Sequence, residues 1–275
     1  GLGVALIGRA SGRPEWVALG LAGGLLHVWN HSLFKSLLFL CAGAVVHRTH
    51  TRQIDRLGGL AKGMPWTAAS FVVGAVAICG LPPLNGFVSE WLVYLGMFRG
   101  VFATGGSAVV AVGVPVLAAI GALAVACFVK VFGAVFLGEA RTEAACGAGE
   151  APAAMRLPMG VMAGACVLIG VAPLLVSPAL DAASSGWLAG LEPERLTLAA
   201  RVPLGWIGLL AATLLALGAG LALLARRRVA DARRGPTWDC GYALPTPRMQ
   251  YTAASFARTI IQIFGSVLRP REQTP

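Results

Sequence analysis

His27-Val28-Trp29-Asn30-His31-Ser32-Leu33-Phe34-Lys35 places three titratable groups inside an apolar run. Spaced at i, i+4 and i+8, His27, His31 and Lys35 fall near one face of an α-helix, each about one 5.4 Å turn from the next. From Trp16 to Val46 the run holds no other ionisable side chain except Cys41. A helix of that length crosses a hydrocarbon core of about 30 Å with tilt to spare. Ionisable groups at such depth are costly and face a bundle interior or a wet cavity, so the row is a functional candidate by default. The competing reading is interhelical hydrogen bonding, which single Asn or His residues supply in membrane bundles.

The composition sets the class. Hydrophobic residues make up 57% and charged residues 12%, with a mean hydropathy of +0.75, whereas soluble domains carry about 25% charged residues. This is the composition of an integral membrane protein. The net charge of +10 does not indicate nucleic acid, because the arginines cluster in loops between apolar spans and no aromatic-basic pattern accompanies them. The six cysteines form no C-x-x-C pair. Cys41, Cys79, Cys127 and Cys166 stand singly in apolar runs and read as small packing residues, so no disulfide framework, metal site or cofactor is expected. The opening at Gly1, within an apolar run and without methionine, reads as a piece of a longer protein.

The choice of base is informative. All 19 arginines fall in expected loops or at span ends, whereas Lys35 and Lys130 fall within spans. Arginine does not release its proton in a protein, and lysine does so readily once desolvated. Lysine at these two positions fits groups that must titrate.

Hydropathy and breakers divide the chain into an all-α, polytopic bundle. The expected elements are the end of a span at 1–8, the relay span at 15–46, a broken span at 66–98, and spans at 108–137, 157–176 and 202–225. A basic loop and an amphipathic helix follow over 226–275, and 177–201 reads as an extramembrane connection. Arg48, Arg52, Arg56 and Lys62 oppose a single Asp55 in the loop after the relay span, and Arg226-Arg227-Arg228 follows the last span. By the positive-inside rule both blocks are expected in the cytoplasm of a cell bounded by an inner membrane. Four spans separate the two blocks if 66–98 is one broken span, and an even number returns the chain to the same side. His47 and His50, at the end of the relay span, read as interfacial side chains or as a proton entry.

The break is Cys79-Gly80-Leu81-Pro82-Pro83-Leu84-Asn85-Gly86. Proline lacks a donor and clashes with the preceding turn, so Pro82-Pro83 ends one half-helix and an extended link leads to the next. Irregular backbone at membrane depth is tolerated where protein or a water-filled cavity satisfies it, and discontinuous helices of this kind hold ion sites near the midplane. Gly80, Pro82, Pro83, Asn85 and Gly86 are therefore candidate site positions, with a hydrated link expected. Glu90 follows within two turns, and no other carboxylate lies so far inside a span. It is the expected electrostatic partner of Lys35 and, if deep enough, of Lys130. Lys130 stands toward the end of its span, where a lysine either relays protons or snorkels to the headgroups. Asp239 and Cys240, in Thr237-Trp238-Asp239-Cys240-Gly241-Tyr242, lack the neighbours of a metal site and read as part of a docking loop.

The stretches His27 to Leu40 and Gly80 to Glu90 together resemble the antiporter-like subunits shared by complex I, multisubunit cation/proton antiporters and membrane-bound hydrogenases. Thr237 to Tyr242, followed by Pro247-Arg248-Met249-Gln250-Tyr251-Thr252, is similar to the hydrogenase-4 and formate hydrogenlyase branch. The resemblance implies an inverted-repeat bundle of which this chain is the later part. His27, His31 and Lys35 match the relay helix, and Glu90 matches the charged position after the second broken helix. It further implies a proton-translocating, non-redox subunit of an oxidoreductase complex, with other membrane subunits and a peripheral redox arm as partners. The alternative implied is a sodium or potassium/proton antiporter subunit without redox chemistry.

Overall fold

The computed structural model describes residues 1–102, 108–191, 197–230, 246–247 and 249–270. Its longer helices are α1 (Leu2–Ala10), α2 (Pro14–Thr49), α3 (Pro65–Ile78), α4 (Asn85–Phe102), α5 (Ala108–Phe136), α6 (Ala153–Val171), α7 (Ser177–Leu188), α8 (Leu204–Ala230) and α9 (Ala253–Ile263). No strand occurs among the described residues. The motif Thr237 to Tyr242, the arginine pair Arg233-Arg234 and Arg248 lie outside them.

The helix α2 is the mast of the bundle. Pro14 opens α2 at a position where its missing donor is not needed, Glu15 sits in the first turn, and the helix closes at His50 in the left-handed conformation with φ 54°. Its 36 residues rise about 54 Å at 1.5 Å each. One end packs Leu19 and Leu26 against Val88, Leu92, Ile169 and Leu204. The other packs Leu37, Leu38 and Cys41 against Phe71, Phe136 and Met159. α4, α3 and α6 surround it, while α5 and α8 keep long apolar faces exposed. Among the described residues four helices are long and apolar enough to cross a membrane: α2, most of α5, α6 and most of α8.

The span expected at 66–98 is two helices, α3 and α4, separated by 79–84. Where 177–201 reads as an extramembrane connection, the structure forms α7. It packs Leu180, together with Leu198 of the following turn, into the same core as Leu19 and Leu26. The apolar spacing of so short a helix is too weak a signal in a chain this hydrophobic. Cys41, Cys79 and Cys166 are buried, as packing residues are; Cys127 is exposed.

α3 is capped from far along the chain. Its N-cap residue, Met64, provides no side-chain bond. Instead Glu150 accepts hydrogen bonds from the Trp66 backbone N–H at 2.8 Å, from that of Thr67 at 3.3 Å and from the Thr67 hydroxyl. Partial burial pushes the Glu150 carboxyl upward, and the bonds from Thr67, Ala151 and Trp66 outweigh it and hold the group below its ordinary value of 4.5. A depressed carboxyl contributes stability above the unfolded value and loses it as pH falls through the folded one. Glu150→Gln is therefore expected to cost about 1 kcal/mol near neutral pH, in the range of a lost cap. Melting curves in detergent should show the gap between the two proteins closing below about pH 4.5. A gap that stays constant with pH would show that the charge is not what caps the helix.

Candidate functional site

The break is built by a helix terminus that the sequence spells out. Leu81 N–H donates to the Val76 carbonyl at 3.2 Å and Gly80 N–H to Ala77 at 3.1 Å, the paired bonds of a Schellman motif. Gly80 adopts φ +63°, as the motif requires, and Pro82-Pro83 follows with its peptide bond cis. α4 then starts at Asn85 so close to α3 that a Cβ on Gly86 would run into the Ala77 carbonyl. The break is thus sealed tightly on the α3 side by backbone.

Glu90 folds back onto this terminus. A Cβ on Gly80 would occupy the place of the Glu90 carboxylate, meeting both of its oxygens. The half-buried carboxylate has no hydrogen bond or ion pair among the described residues. It shares with His27 the lining of a cavity of about 400 Å³, walled otherwise by Gly20, Leu21, Gly24, Val93 and Leu117 among others.

The His27 and His31 ring centroids lie 6.1 Å apart, and Phe34 sets an edge against both, at 6.3 Å and 5.2 Å. His27 Nδ1 lies 3.3 Å from Ser89 Oγ, whose own proton goes to the Gly86 carbonyl at 2.9 Å. With the serine proton on that carbonyl, the oxygen is free to accept from Nδ1–H, the tautomer of a neutral His27 that keeps Nε2 as its acceptor nitrogen.

Lys35 takes a different environment from the one expected. It is exposed, on the same face as His31, with its ammonium 5.6 Å from the Phe39 ring centroid. Among the described residues it makes no ion pair with Glu90. Lys130 lies apart from this site, in a cavity of about 680 Å³ between α5 and α9 lined by Arg141, Tyr251, Ser255 and Phe256 among others.

The Gln250 to Thr252 part of the branch motif is a clamp. Gln250 Nε2 donates to the Glu139 carbonyl at 2.9 Å and its Oε1 accepts from the Glu139 N–H at 3.1 Å. Arg141 donates to the Tyr251 carbonyl, and Asp55 accepts from the Ala253 N–H at the start of α9. α9 is held over the end of α5 by these bonds.

Sequence reasoning missed Asn30, Ser89 and Glu150. Asn30 sits within the opening stretch, three residues from His27, and Ser89 immediately precedes Glu90. Only the crossing of α2 and α4 brings Asn30 to Asn85 and Ser89 to His27. No group of three or more His, Cys, Asp or Glu side chains able to hold a metal occurs among the described residues.

Residues 2–121 match the family described as NADH:quinone oxidoreductase/Mrp antiporter, TM. Formate hydrogenlyase subunit 3 of Escherichia coli K12 is 41% identical over 276 residues, spanning 99% of this chain and 44% of that protein. Hydrogenase-4 component B of the same organism is 35% identical over 288 residues, spanning 99% of this chain and 42% of that protein. Among solved structures, the membrane-bound sulfane sulfur reductase, an archaeal respiratory membrane complex, contains a chain that superposes with a TM-score of 0.67 at 22% identity. The superposition spans 94% of this chain and 42% of that one. At that identity the likeness speaks for the fold alone, and the present chain spans less than half the length of these relatives. The chain belongs with the antiporter-like membrane subunits of the NADH:quinone oxidoreductase/Mrp antiporter family, on the hydrogenase-4 and formate hydrogenlyase side.

Proposed function

We propose that the chain is part of a proton-translocating membrane subunit in a hydrogenase-4, formate hydrogenlyase or complex I-like assembly, driven by redox chemistry on a peripheral arm. The observation that carries the proposal is that His27 and Glu90 line one cavity, with the Glu90 carboxylate set against Gly80 of the break and His31 one ring contact further along. A proton passed along the row reaches His27 Nε2, and the cavity between His27 and Glu90 is large enough for water to bridge them. The carboxylate, lacking an ion pair, is the group whose protonation can change without breaking one. Lys35, on the exposed face of α2, receives the proton from a neighbouring part of the assembly. Lys130 belongs to a separate branch under α9, either as an exit group or as a headgroup anchor. The basic loops and the C-terminal end lie on the cytoplasmic side of the inner membrane, by their arginines.

The antiporter reading differs in its ion. Similarity to hydrogenase-type relatives along 99% of the chain favours the redox reading. In vesicles carrying the intact complex, redox turnover should acidify or alkalinise the lumen at the same rate when sodium and potassium are replaced by choline. Proton movement that requires sodium or potassium, and persists without a redox substrate, would assign the chain to an antiporter instead.

A further inference from the structure

One turn from the His27–Ser89 contact, the same two helices are joined a second time. Asn30 Nδ2 donates to the Asn85 backbone carbonyl at 2.8 Å, and Asn85 Nδ2 donates to Asn30 Oδ1 at 3.0 Å. Both residues are 0% exposed. Residue numbers rise on α2 as they fall on α4, so the contacts 27–89 and 30–85 are successive rungs between antiparallel helices. The apolar clusters containing Leu26 and Phe34 flank Asn30 on either side.

The bonds also fix which way each carboxamide points. A backbone carbonyl only accepts, so Asn30 must turn its NH2 toward Asn85, and its Oδ1 then faces the Asn85 side chain. Asn85 must answer with its own NH2. Its Oδ1 is the atom left over, and it is buried without a protein partner among the described residues. Enclosed acceptors of this kind are normally satisfied by protein or by ordered water.

We propose that the Asn30–Asn85 pair is a water-binding site in the proton path, with Asn85 Oδ1 accepting a hydrogen bond from a buried water held at the level of the break. This rests on the proton-translocating reading above. Asparagine suits the task because it offers donor and acceptor without titrating near neutral pH, so it orients a water without trapping the charge. With one O–H held by Asn85, the water keeps its lone pairs and its second O–H. A proton added at the oxygen on one side is matched by one released on the other, and no protein bond forms or breaks. Asn30 is then a positioning residue: it holds the Asn85 amide so that Oδ1 faces the water.

The test has two arms. In a map of the intact complex that resolves other buried waters, density is expected within about 3.2 Å of Asn85 Oδ1; a resolved site with no density there overturns the proposal, whatever the complex transports. The variant Asn30→Leu with Asn85→Leu replaces both partners by apolar groups of similar size and so preserves packing. An assembled complex with an unchanged melting temperature, proton uptake slowed at least about tenfold and the density gone is the expected result. Normal uptake by the assembled double variant overturns the role in transfer. If the double variant does not assemble, the wild-type density still decides the site; if wild-type vesicles move no protons, the functional reading fails separately.

Discussion

Gly80→Ala should suppress proton transfer about as severely as Glu90→Gln, by on the order of 10²-fold, while leaving the complex assembled. The expectation follows from what occupies the space over Gly80. The terminus of α3 needs a residue at φ +63°, where an alanine costs about 1–2 kcal/mol. That is tolerable in a helix packed against α2, α4, α5 and α6. The new methyl group also takes the place of the Glu90 carboxylate, which is the free end of a flexible side chain and swings away more cheaply than the backbone moves. Structure is therefore kept and position is lost, and a displacement of about 1 Å at a transfer site is enough to cost that factor. Gly80→Asn separates the two effects, since asparagine accepts the left-handed conformation but still carries a Cβ. It should recover melting temperature and not proton uptake. Normal uptake in an assembled Gly80→Ala complex would show that Glu90 does not act from its place against the break.

Lys35→Arg should fail as completely as Lys35→Met in vesicles carrying the intact complex, with uptake reduced about 10²-fold or more in both. Arginine preserves the positive charge and the approach to the Phe39 ring, 5.6 Å from the ammonium, and it stacks on aromatic faces at least as well as lysine. What it lacks is the capacity to give up a proton. The pair of variants thus distinguishes a carrier from a fixed charge: an arginine variant with normal uptake and a methionine variant without would make Lys35 an electrostatic element only. Because Lys35 lies on the exposed face of α2 and makes no ion pair with Glu90 among the described residues, neither substitution strips a partner from a buried charge in this chain. The loss of transfer should therefore come without a loss of folded protein.

Much of this architecture is local and so could be read along the chain. The apolar run around His27 to Lys35 dictates a helix, since backbone groups in a membrane must be satisfied within the segment. A four-residue spacing puts His27 and His31 one turn apart, and the rings indeed lie 6.1 Å from each other. Gly80 followed by Pro82-Pro83 spells a helix stop, which the Schellman bonds execute. What the linear order does not contain is the rotation and register of one helix against another. In a soluble helix the polar face announces both; here nearly every face is apolar, and the pattern that would orient α2 is absent. Only the packed bundle decides that Asn30 meets Asn85, that His27 meets Ser89, and that Lys35 turns outward instead of toward Glu90. The same holds for Glu150, which caps α3 across 83 residues of chain, and for Gln250, which grips Glu139 across 111. Each is a polar group satisfied by a distant segment that the crossing of helices brings within about 3 Å.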